Sequence, residues 1–153
     1  MPLRRYPLLK TLPSLAISVF VSQAMASPTS DALKSIGLIG SSWRQDCARP
    51  ASLNNSGIMF VVQRGKSVIE SIPAGVERGI LEAKILSSSD ISLTIANTSS
   101  SPPFNIITVY RKTSSTIQPW SSTSSVEGPV IRDGKVTGMG QPTPIMHRCQ
   151  PGQ

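Results

Sequence analysis

The chain predicts an all-β fold, a small antiparallel up-and-down barrel of about eight strands with a short N-terminal helix. Three observations carry this. Beyond Gly37 the sequence is a succession of short β-branched or alternating runs, each ended by Gly, Pro, Asp or Ser at hairpin spacing. Within one of them Ile91, Leu93 and Ile95 alternate with Ser92, Thr94 and Ala96, which gives a buried and a wet face. Two cysteines, Cys47 and Cys149, flank the strand-rich region, so a bond between them sets its last segment against its first. A meander whose ends meet is a barrel without exposed edges.

Residues 1–26 have the pattern of a cleaved secretory signal. Arg4, Arg5 and Lys10 give a positive start with no acid before Asp31, and Leu12 to Val21 is a short apolar run. Ala24-Met25-Ala26 is the small-x-small site after which a signal peptidase cuts, leaving Ser27 first. The run is half of the about 20 residues an uncleaved anchor needs, and it contains Pro13. Pro7 stands where a twin-arginine signal prefers a large apolar residue, and no cysteine adjoins the cut to take a lipid. The compact apolar block fits secretion better than a mitochondrial transit peptide. A periplasmic or secreted location follows as the expectation, and with it an oxidised Cys47–Cys149 pair.

Residues 27–39 read as a polar leader and one short helix. Ser30 is a candidate N-cap for a helix over 31–38, with Ala32, Leu33 and Ile36 on one side. Residues 40–153 make up the barrel domain. Its first strand runs from Trp43 to Cys47. Ile58 to Val62, then Ser67 to Ile72 across Arg64-Gly65-Lys66, form a hairpin, and Pro73-Ala74-Gly75 breaks the chain. Gly79 to Leu86 pairs with Ile91 to Ala96, Asn97 to Pro103 is a polar loop, and Asn105 to Lys112 alternates again with Thr116 to Trp120 pairing back. The serine- and threonine-rich stretches 98–101, 113–116 and 121–125 are expected to be loops. Asp133-Gly134 between Val130-Ile131-Arg132 and Lys135-Val136-Thr137 predicts a two-residue hairpin turn. The tail from Pro142 to Cys149 holds two prolines and suits only an edge strand or a strap.

Removing 26 of 153 residues leaves 127, the size of one domain. The signal holds three of the fifteen basic residues and none of the eight acidic ones, so the mature charge is +4 rather than +7. The remaining bases are scattered as Arg64/Lys66, Arg111/Lys112 and Arg132/Lys135 near turns, a solvated rim rather than a phosphate track. Beyond the signal only Trp43, Phe60, Phe104, Tyr110 and Trp120 are aromatic. Nucleic acid is therefore not an expected partner. His147 is the one histidine, and with both cysteines paired a zinc site lacks ligands, so no metal or cofactor is expected. No G-x-S-x-G elbow occurs, and Glu70, Glu77, Glu82, Asp90 and Glu127 share no spacing that suits paired-carboxylate chemistry. An enzyme is not expected.

Gly40-Ser41-Ser42-Trp43 resembles the lipocalin opening, with one residue more between glycine and tryptophan. A longer likeness runs through Trp43-Arg44-Gln45-Asp46-Cys47, Pro50-Ala51-Ser52-Leu53-Asn54, Gly134 and Pro142-Thr143-Pro144-Ile145-Met146-His147-Arg148-Cys149. Together these resemble a family of small exported bacterial proteins of unknown function. The resemblance implies the disulfide and a periplasmic setting and brings no activity. Trp43 is expected to plug the barrel, with Arg148 or Arg111 stacked on it, and Asp46 to bond backbone amides at a turn. The mouth is expected near Phe60, Tyr110 and Trp120, as a site for a small apolar or amphipathic ligand, although few aromatics and many Val, Ile and Leu favour a filled interior, which counts against such a ligand. The competing expectations are a protein-binding role, such as protease inhibition by the leader and helix acting as an inserting arm, and a structural role in the envelope. A monomer is expected.

Overall fold

Residues 27–150 are described by a computed structural model; the signal segment and its Ala24–Ala26 cut lie outside them. The helix, α1 (Pro28–Ser35), starts three residues before the predicted Asp31. Proline suits the first helical turn because its missing N–H would be unpaired there anyway. Ser27, not Ser30, is the cap, its hydroxyl accepting from the Ser30 amide at 3.2 Å. At the other end the Leu38 amide donates to the Leu33 carbonyl and the Gly37 amide to the Lys34 carbonyl, both at 2.9 Å. This double closure brings Leu33 and Leu38 together, and both are fully buried in the core.

Ten strands follow: β1 (Ser42–Arg44), β2 (Gly57–Gln63), β3 (Lys66–Ile72), β4 (Val76–Ile85), β5 (Asp90–Asn97), β6 (Phe104–Lys112), β7 (Thr116–Ser124), β8 (Gly128–Arg132), β9 (Lys135–Val136) and β10 (Met146–Cys149). Strands β1 to β7 form an antiparallel meander, and β10 pairs with both β1 and β7. Eight strands therefore close into a barrel. Strands β8 and β9 stand outside that ring. The first part of β7 pairs with β10 through Thr116 and Ile117, whereas Ser122 to Ser124 pair with β8. The serine cluster at 121–124, expected to be a loop, is thus strand. Its two buried hydroxyls have partners: Ser122 bonds Thr108 at 3.0 Å, and Ser124 accepts the Val126 and Glu127 amides to make the next turn.

Alternation along the strands turns Phe60, Ile69, Ile80, Ile91, Leu93, Ile95 and Ile117 inward, and they pack with Trp43 and Met146 under α1. The opposite positions Glu70, Glu77, Glu82, Lys84, Ser92 and Thr94 face out. An apolar interior with a charged exterior is the reverse of a lipid-facing barrel. The described helix is not long and apolar enough to cross a membrane.

Cys47 and Cys149 are bonded, with Cα atoms 5.3 Å apart. Cys47 lies three residues beyond β1 rather than at its end, in a loop built around two buried polar side chains. Asn55 donates to the carbonyls of Asp46, Arg49 and Pro50 and accepts the Asp46 amide at 2.9 Å. The Arg44 guanidinium donates to the Arg49 carbonyl at 3.0 Å and the Cys47 carbonyl at 3.4 Å. Asp46 accepts the Ala48 amide at 2.9 Å, the turn role its sequence position suggested.

Candidate ligand cleft in the barrel mouth

The end of the barrel facing away from α1 holds a cleft of about 200 Å3. Its walls come from inward positions of six consecutive strands. Ile58 on β2 stands across from Ser71 on β3, Ile69 on β3 across from Arg78 on β4, and Ile95 on β5 across from Ile106 on β6. Thr108 and Tyr110 on β6 and Ser122 on β7 complete it. Four isoleucines thus share one space with four hydroxyls and a single charged group. The mixture follows from strand register: on β2 to β6 each of these residues is, or lies an even number of places from, a core residue of its own strand. Ser122 lies five places from Ile117 across a bulge in β7 and faces in as the partner of Thr108.

Tyr110 lies at the boundary between cleft and core. It is only 6% exposed, and its ring meets that of Phe60 edge to face, centroids 6.1 Å apart. Burial pushes its hydroxyl up to about 12 from an ordinary value near 10, and the positive charge of Arg78 partly offsets this. Tyr110 is therefore a neutral O–H donor at physiological pH. Arg78 is half-buried, and its Nε has no hydrogen-bond partner among the described residues. The ion pair among the described residues lies elsewhere: Arg111 to Asp90 at 3.2 Å, on the outer face.

The three aromatic residues expected at the mouth do not come together. Phe60 is fully buried in the core and Tyr110 lines the cleft, but Trp120 sits on the outer wall. The cause is a bulge. Val109 pairs with Ser121 and Tyr110 with Pro119, so Trp120 is an extra residue with no partner across the ladder. Arg111 lies over its ring at 3.7 Å, and the ring carbons pack against Gly134. The stacking arginine is therefore Arg111, but on Trp120 and not on Trp43. Trp43 is completely buried, where a guanidinium could follow only by losing its water. Arg148 stands across from Trp43 in the β1–β10 ladder and remains exposed.

Asp133 and Gly134 turn the β8–β9 hairpin with φ of +50° and +69°, the left-handed pair such a turn requires. Thr143 fastens that hairpin to the barrel. Its hydroxyl donates to the carbonyls of Pro119 at 2.8 Å or Gly134 at 3.1 Å, and Gln118 Nε2 donates to its carbonyl and hydroxyl oxygens. Trp43, Asp46, Cys47, Gly134, Thr143 and Cys149, six of the residues in the sequence likeness noted above, are thus occupied in packing, turn formation or cross-linking.

Of the residues lining the cleft, sequence reasoning had named Tyr110 alone as a site residue, and Arg78 is the charged one it missed. The signal was present, since Val76, Arg78 and Ile80 fall on one face of an alternating strand. Starting that strand at Gly79 rather than Val76 hid it. Among the described residues no three His, Cys, Asp or Glu side chains come close enough to share a metal ion. Comparison with protein-family models, with curated proteins and with solved structures finds no match to this chain.

Proposed function

We propose that this chain is an exported, non-enzymatic barrel that holds a small amphipathic molecule in its mouth. The observation carrying this is the cleft itself, about 200 Å3 bounded by four isoleucines and a few convergent polar groups. A space of that size matches ligands near the bulk of benzene or slightly larger, given that a cavity of roughly 150 Å3 accepts benzene. Export is supported by the signal-like leader and by a disulfide that a reducing cytosol would not maintain. A binding rather than catalytic role is supported by the commitment of the motif residues to the fold, which leaves no acid–base or nucleophile pair among them.

The inhibitor reading draws less support. It needs a free arm, but Ser27 caps α1, and Ser30 and Leu33 are buried against the barrel. Using this segment as a probe would require undocking the helix and exposing Leu33 and Leu38.

A titration with 1-hexanol, followed through the isoleucine methyl signals by NMR, tests the ligand reading. Saturable shifts concentrated at Ile58, Ile69, Ile95 and Ile106 are expected. Their absence at all four, with the spectrum otherwise that of a folded barrel, would refute a ligand in the mouth.

A further inference from the structure

We infer that the mouth cleft is a carboxylate site, with Arg78 anchoring the charged end of a small monoanionic amphiphile. This rests on the ligand reading above and adds to it the charge and class of the ligand.

The lining contains one cation and no carboxylate. Arg78 makes no ion pair among the described residues, and its Nε is shielded from solvent without a partner. A sheltered guanidinium nitrogen lacking an acceptor is costly, because desolvation is not offset by a bond. Elsewhere the fold does satisfy its sheltered arginine: Arg44 reaches two backbone carbonyls. The indole Nε1 of buried Trp43 also lacks an acceptor, but Arg78 Nε is the one such atom among the described residues that belongs to a charged group.

The remaining polar groups point to the same ligand chemistry. Tyr110 keeps its proton and can donate, and Ser71 adds a second hydroxyl beside Arg78 on the neighbouring strand. Thr108 and Ser122 are bonded to each other and so offer less to a guest. Such a set selects an acceptor and repels a cation. A carboxylate fits better than a phosphate for two reasons. One guanidinium balances one negative charge, and its planar fork matches the two oxygens of a carboxylate. Four isoleucine side chains then require the rest of the molecule to be apolar. With about 200 Å3 to fill, that part is limited to roughly six to eight carbons.

The test compares three six-carbon probes on the signal-free protein: hexanoate, 1-hexanol and hexylamine, each titrated against the isoleucine methyl signals. Hexanoate is expected to bind at least about tenfold tighter than hexanol, the scale of one charge-assisted hydrogen bond, with hexylamine weakest. In Arg78→Gln the preference for hexanoate should vanish while hexanol binding stays, and Arg78→Lys should restore part of it. Equal affinity for hexanoate and hexanol in the native chain would overturn the carboxylate site and leave the ligand reading standing. Survival of the preference in Arg78→Gln would also overturn it. If none of the three probes binds, the ligand reading falls as well. The ranking on the native chain decides the matter even if a variant fails to fold.

Discussion

Gly134 meets two demands at one position. Its φ of +69° belongs to the left-handed region, and a side chain there would come within 3.1 Å of the Trp120 ring. Gly134→Val should therefore cost about 2–4 kcal/mol, from backbone strain plus crowding, read as a lower denaturant midpoint. A midpoint within about 0.5 kcal/mol of the parent would show that the hairpin shifts freely off the barrel. Tyr110 supplies a second single-residue prediction. Its folded pKa lies near 12 and its unfolded value near 10, so the folded state binds more protons between these pH values. Stability is then complete below about pH 10 and falls as the pH rises toward 12, by up to about 3 kcal/mol. Tyr110 is the only tyrosine beyond residue 26, so phenolate absorbance of a chain that starts at Ser27 reports it alone. Titration near 10 in the folded protein would mean the ring is wet. Residues such as Asp133-Gly134 and Ile91/Leu93/Ile95 were legible because their signals are local, a turn dipeptide and a period of two. The side taken by Trp120 was not, since it depends on a bulge that local alternation does not reveal.

Among elements, β7 is where sequence pattern and outcome diverge most. Its composition past Trp120 is that of a loop, yet it pairs with β6 as far as Ser124. Hydroxyl-to-hydroxyl bonding such as Thr108 to Ser122 makes polar inward positions tolerable, and no single-strand pattern announces a partner fourteen residues away. By forking between β10 and β8, this strand lets the ring close while the β8–β9 hairpin hangs outside. That hairpin has a two-residue final strand, and beyond the pairing of β8 with β7 its turn is tied down by Thr143. Thr143→Val keeps the shape and removes the hydroxyl, leaving the Pro119 carbonyl without this donor. A loss of about 1–3 kcal/mol is expected. Amide exchange should quicken at Gly134, Val136 and Thr137, whose protection depends on bonds to Trp120, Gln141 and Val130. Unchanged exchange at those three amides would show that the hairpin is secured without the threonine.

At the scale of the molecule, closure depends on a short last strand. Strand β10 has four residues, three of them paired with β1 and two with β7. Hydrogen bonds so few contribute a net few kcal/mol at most. The Cys47–Cys149 bond spans 102 residues of sequence, and constraining an unfolded loop of that length stabilises the native state by about 4–5 kcal/mol in the chain-entropy description. That is of the order of a small domain's entire net stability. The cysteines themselves suggested that the chain's two ends meet, which was the legible part of closure; that the tenth strand rather than the eighth performs it depends on the external hairpin. Cys149→Ser should therefore lower the unfolding free energy by about 3–5 kcal/mol and expose β10 amides to exchange before those of β2 to β6. Reductant should produce the same loss in the native chain and none in the variant, which separates the bond from the packing of the buried Cys149 side chain. A loss below about 1 kcal/mol, with β10 still protected, would mean that ladder pairing and the packing of Met146 against the core hold the ring shut without the covalent tie.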